Sequence, residues 1–141
     1  MVKRHGKIDV NLKRAYLPPS PQDGYRVLVD RIWPRGLRKK KARIDLWLKD
    51  VAPSTALRKW FGHDPARWRE FRRRYQAELA RQATPLEKLR AMARKGRLTL
   101  IFGARDERHN QAVVLKDLLA RQRSTRSRRG APARRRAAPS A

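Results

Sequence analysis

The chain has 141 residues, 40% hydrophobic and 35% charged, and a formal net charge of +26. That length suits one domain, and the charge draws polyanions, nucleic acid first and an anionic membrane surface second. With no cysteine, disulfides, thiol nucleophiles and thiolate metal sites are excluded; no apolar run approaches the roughly 18 residues of a membrane span, and the polar start MVKRHGKIDV has no signal-peptide core, so a cytoplasmic location is expected.

Ile8 to Tyr16 alternates apolar and polar residues and reads as a half-buried strand. Leu17 to Gly24, with three prolines and a glycine, is a loop. Tyr25 to Asp30 contains the run Val27-Leu28-Val29 and reads as a buried strand. It runs into Asp30, Arg31, Trp33 and Arg35, punctuated by Pro34 and Gly36. Charged and aromatic groups on such a loop are how open α/β sheets present binding sites at the carboxyl ends of their strands.

Leu37 to Arg43 is a basic run, open to two readings: a solvated face, or a phosphate-contacting patch beside the site loop. Ile44 to Leu48 is a short strand or an irregular apolar edge, with Trp47 and Leu48 buried. Ser54 caps a helix over 55–61 that buries Leu57, Trp60 and Phe61 and stops at Gly62. Asp64-Pro65 opens the next helix, to about Arg81, with Trp68, Phe71, Tyr75 and Leu79 along one face. Thr84-Pro85-Leu86-Glu87 has the pattern of a capping box before a helix that buries Leu86, Leu89 and Ala93 and closes at Gly96.

Leu98 to Phe102 reads as a second strong strand. After a turn, Asp106 or a neighbour caps a last helix to about Arg121, with Val114, Leu115 and Leu118 facing the core. The segment 122–141 holds seven arginines, which leaves +19 on residues 1–121. It has too little apolar surface to fold alone and is expected to be a disordered basic tail, with residues 1–121 as the single domain. The element order argues an α/β fold: a small, mostly parallel sheet flanked by helices in three layers, Rossmann-like. If the two strong strands are parallel, the DRIWPRG and GARDERHN loops share one edge of the sheet.

YRVLVDRIWPRG, DLWLKDVAPST, RKWFGHDPARW and LTLIFGARDERHNQAVVL, in that order, resemble the YeaO-like branch of domain-of-unknown-function family 488 over about Ile8 to Leu119. The resemblance carries a fold expectation and site candidates without an established activity. The wider family has an Asp-Val-Arg type motif followed by Pro-Arg, matched here by Val29-Asp30-Arg31 and Pro34-Arg35. It also has a cysteine in the late turn and a Cys-His-Arg segment at the following helix start. Here Gly103 and His109-Asn110-Gln111 stand in those places, so chemistry that used those thiols is absent.

Asp30 and Arg31 are either an ion pair closing a strand, or a catalytic base or hydroxyl-orienting group (Asp30) beside an anion clamp made by Arg31 or Arg35. Trp33 is either core or a stacking platform for a base. Arg105, Asp106, His109 and Asn110 form a second constellation. It is either an anion site at a helix start with His109 as acid or base, or Asp106 as a cap beside an exposed His109. His63 is expected to shape the turn before Asp64. No cofactor and no metal site is implied, because His5, His63 and His109 are far apart in sequence.

Two functions compete. One is a domain, enzyme or not, that binds a phosphate- or nucleotide-bearing molecule between the two loops. The other is a non-specific nucleic-acid binder using the basic surface and the tail arginines Arg123, Arg126, Arg128, Arg129, Arg134, Arg135 and Arg136. A bland reading, in which the basicity has no partner, stays beside both.

Overall fold

The computed structural model describes residues 8–129, and side-chain surroundings as far as residue 121. Four strands form one parallel sheet: β1 (Val10–Arg14), β2 (Tyr25–Leu28), β3 (Leu46–Trp47) and β4 (Leu98–Phe102), in the order β1-β4-β2-β3. Leu98 stands opposite both Val10 and Tyr25, while Leu28 lies between Ile101 and Trp47. All four strands therefore end along one rim. The two with continuous apolar runs, β4 and β2, take the central places, where both faces of a strand leave water. The alternating strand β1 takes an edge.

The helices are α1 (Lys39–Ala42), α2 (Thr55–Phe61), α3 (Trp68–Leu79), α4 (Ala83–Lys95) and α5 (Gln111–Arg129). Leu57, Phe61, Phe71, Tyr75, Leu79, Leu89 and Leu115 from α2–α5 pack with Val27, Val29, Leu98, Leu100 and Phe102 from one face of the sheet. Burying each such side chain is worth about 1.5–3 kcal/mol relative to exposure, so this face carries most of the stability. Phe61 stacks on Phe71 with ring centroids 4.3 Å apart, and the buried Tyr75 hydroxyl donates to the Val51 carbonyl.

The other face has a thin cover. Ala15, Leu28 and Ile101 meet Trp33, Leu37 and Ile44, which come from loops on either side of the one-turn α1, and Trp47 of β3. The third layer is thus loops and one helical turn.

Several boundaries differ from expectation. Thr84 forms no capping box: α4 starts at Ala83 and its N-cap, Gln82, has no side-chain cap bond. The helix α3 ends at Leu79, because Ala80 onward turns tightly into α4. On α5 it is Leu119 that is fully buried, with Leu118 only partly so, and Trp60 is half-buried because Arg67 and Arg74 lie over its indole. The α5 backbone continues to Arg129, past the expected end at Arg121. The side chains of the seven tail arginines lie outside the described residues. Ser54 caps α2 as expected, accepting from Leu57 N at 3.1 Å. Asp64 accepts from Ala66 N at 3.0 Å but caps a 3-10 turn over Pro65–Arg67, and α3 starts only at Trp68, with no side-chain cap.

Candidate functional site

Because β2 and β4 are parallel neighbours, the loops that follow them meet. Asp30 is where they touch. Its Oδ2 accepts the Gly103 N–H at 2.9 Å, and its Oδ1 accepts from the Gln111 side-chain amide at the start of α5. Burial pushes the Asp30 carboxyl up to about 6; the bonds from Gly103 and Gln111 and the charge of Arg58 limit the rise. Asp30 and Arg31 do not pair with each other. Arg31 Nε donates to the Pro53 carbonyl at 2.9 Å and a terminal nitrogen donates to that of Ala52 at 3.1 Å, so this guanidinium clasps the chain before α2.

Glycine at 103 has a steric reason. A Cβ there would lie 2.9 Å from Asp30 Oδ2 and 3.4 Å from Pro34. The space that the resemblance assigns to a cysteine in the wider family is filled here by the Asp30 carboxylate.

Both indoles of the loop are tied to backbone. Trp33 Nε1 donates to the Leu37 carbonyl at 2.7 Å, Trp47 Nε1 donates to the Asp30 carbonyl at 2.7 Å, and the two rings meet edge to face at 5.4 Å. Trp33 packs against the thin layer and also lines the cleft.

The cleft has a volume of about 450 Å³, and Asp30, Arg31, Trp33, Arg35, His109 and Asn110 all line it. Tyr16, Arg58, Phe61, His63 and Gln111 line it too, none of which the sequence pattern had singled out for this site. Arg35 is exposed, and its carbonyl accepts the Tyr16 hydroxyl at 2.7 Å. The guanidinium groups of Arg35 and Arg58 make no hydrogen bond or ion pair to another described residue. His63 sits in the turn as expected, at φ 58°, the left-handed region that costs a non-glycine residue energy.

The second constellation splits. Asn110 is buried and caps α5: its Oδ1 accepts from Ala112 N at 2.9 Å and Val113 N at 3.2 Å, and its amide donates to the Asp106 carbonyl at 2.9 Å. Two of the N–H groups at the helix start are thereby satisfied within the chain. Asp106 Oδ1 accepts from Arg108 N and His109 N, and its Oδ2 lies 2.8 Å from His109 Nδ1. The His109 side chain, with these N–H groups, holds the Asp106 carboxyl below its usual range. His109 meets the Trp68 indole edge to face at 5.2 Å, and its Nε2 has no hydrogen-bond partner among the described residues. Arg105 is exposed, and neither it nor Asp106 lines the cleft. Among the described residues no three His, Cys, Asp or Glu side chains gather as metal ligands, and no helix is long and apolar enough to cross a membrane.

The family described as "Inactive DUF488-N3 subclade" matches residues 9–139. The chain is 42% identical over 112 residues to the "Uncharacterized protein YeaO" of Escherichia coli, covering 79% of this chain and 97% of that one. It is 46% identical over 110 residues to uncharacterized proteins of Mycobacterium bovis and Mycobacterium tuberculosis, covering 78% of this chain and 92% of each. No solved structure matches.

Proposed function

From the premise that this chain belongs to the YeaO-like DUF488 family, we propose that its carboxyl-edge cleft binds a small anionic ligand bearing a phosphate and an aromatic or apolar group, such as a nucleotide. The observation that carries this reading is that Arg35 and Arg58, whose guanidinium groups make no hydrogen bond or ion pair among the described residues, line a cleft whose walls include Trp33, Phe61 and Phe71. A planar guanidinium suits phosphate bidentately. His109 Nε2 offers a further polar contact.

Binding is favoured over reaction on three grounds. The family description reads "Inactive". Gly103 stands where the resemblance puts a thiol. Both Asp30 oxygens are engaged by donors from this chain, so the carboxylate is occupied as a latch between strand ends.

Isothermal titration of the full chain with nucleoside mono-, di- and triphosphates tests the proposal. Saturable one-to-one binding is expected, weakened tenfold or more in Arg35→Ala and Arg58→Ala. Binding unaltered by both substitutions, or no saturable binding, removes the cleft as the ligand site.

A further inference from the structure

A concavity larger than the cleft lies elsewhere, over the face of the sheet that the long helices leave uncovered. It is a groove of about 1090 Å³ between the 15–24 loop and the 36–45 segment. Arg38, Lys40, Lys41 and Arg43 line it. All four are exposed, and none of their side chains has an ion pair or hydrogen bond among the described residues. The one acid in the lining is Asp45, whose Oδ2 already accepts the Arg26 N–H at 2.8 Å.

The cations stand on a held scaffold. Arg26 is buried and ion-paired to Asp23, and its Nε and a terminal nitrogen donate to the Ala42 carbonyl at 3.1 and 2.7 Å. Nε also reaches the Arg43 carbonyl at 3.1 Å. This grip closes the end of α1. Arg43 itself holds φ 48°, a left-handed conformation that glycine adopts with less strain. An arginine kept there against strain directs attention to what its charge does.

From the unpaired cations, the buried clasp beneath them and the Tyr16 ring at the groove's end, we infer that this groove is a track for the phosphodiester backbone of single-stranded nucleic acid. Grooves of this kind combine a basic floor with exposed aromatic rings on which bases stack. Tyr16 is 44% exposed, and its hydroxyl is fixed on the Arg35 carbonyl. Pro18, Pro19 and Pro21 give the same wall an apolar surface. A duplex is read by a helix or ribbon entering its groove, and α2–α5 all lie on the opposite side of the sheet. The track is separate from the carboxyl-edge cleft, with Tyr16 the wall they share.

The test is fluorescence anisotropy of the full chain with labelled oligo-dT and oligo-rU about 15 nucleotides long, each titrated across a range of salt. Lys40→Glu/Lys41→Glu is expected to weaken binding at least tenfold and to flatten the salt slope by about 0.7 for each lost phosphate contact. Arg43→Gly is expected to raise the unfolding midpoint while weakening binding, which separates a lost contact from a lost fold. The control, Arg69→Glu/Lys88→Glu, makes the same charge change on the helical face and should cost far less. The tail arginines are common to every arm. A preference for one oligonucleotide identifies the nucleic acid, and equal binding identifies the phosphodiester alone. Equal losses in the two double variants would overturn the inference. So would tighter binding to duplex than to single strand, or to phosphatidylserine vesicles than to either oligonucleotide.

Discussion

The Asp30 carboxylate accepts the Gly103 backbone N–H at 2.9 Å, across the ends of two parallel strands from chain segments seventy residues apart. This bond closes the rim of the sheet and brings the two candidate loops together. It also takes an acid partly out of water, and the first predictions follow from that.

Asp30 has its pKa raised by burial to about 6, above its unfolded value. For an acid raised in this way the folded state binds the extra proton, so stability increases as pH falls from above 6 toward 4. Asp30→Asn should lose this dependence. Relative to the parent, the variant should gain up to about 3 kcal/mol between pH 4 and pH 7.5, taking 1.36 kcal/mol per pKa unit. Urea unfolding at the two pH values measures it; parallel curves for the two proteins would contradict it.

Ligand binding in the cleft should share that titration. Ionised Asp30 repels an anion, and its protonation below about pH 6 removes the repulsion. Affinity for a ligand whose charge does not change in this range, such as a sulfonate analogue, should rise as pH drops from 7.5 to 5. In Asp30→Asn the rise should be absent.

Gly103→Ala places a Cβ 2.9 Å from Asp30 Oδ2. The carboxylate must leave the Gly103 N–H to make room, at a cost of about 1–3 kcal/mol. The same substitution in an Asp30→Ala background should cost less, because the group it displaces is gone. A double-mutant cycle by chemical denaturation reads this coupling directly.

At the other end of the sheet, Arg26 and Lys13 flank the buried Asp23, at 2.6 and 3.1 Å. Burial raises the Asp23 carboxyl, but the Ser20 N–H, Lys13 and Arg26 overcome it and hold the group below 3.8. A depressed carboxylate stabilises the fold above its unfolded pKa, and that contribution is lost as pH falls through the folded pKa. Arg26→Met should cost about 3 kcal/mol at pH 7, since it strips a buried acid of one of its two cations and the Ala42 carbonyl of its donor. Its acid unfolding midpoint should move to higher pH.

Asn110→Ala should destabilise by about 1 kcal/mol through loss of the α5 cap, and Asn110→Asp should recover most of it. Thermal unfolding of the pair checks whether this side chain caps or contacts ligand. A ligand contact would show as weakened binding in Asn110→Ser, which keeps a capping oxygen without adding a charge, with stability intact.

Much of the fold was legible along the chain because burial leaves a one-dimensional trace. Val27-Leu28-Val29 and Leu100-Ile101-Phe102 are continuously apolar because both sides of a central strand are covered, and Phe71, Tyr75 and Leu79 repeat at helical spacing because one side of α3 is. The chemistry of each candidate was less legible. Arg31 and Arg35 look alike in sequence, yet one is spent on the Ala52 and Pro53 carbonyls and the other is uncommitted. Arg58 falls on the polar side of α2 and Gln111 follows a cap, and nothing local tells what either faces.

Length, charge, strand and helix periodicity, and the loops that carry charged and aromatic groups are therefore properties of the sequence alone, since each depends on neighbours a few residues away. That the two loops meet, that Asp30 is a partly buried latch with a raised pKa, and that a cationic groove lies behind the sheet were decided only by tertiary structure. Desolvation and hydrogen bonding depend on distances between residues the chain holds far apart, and only the register of the parallel strands sets those distances.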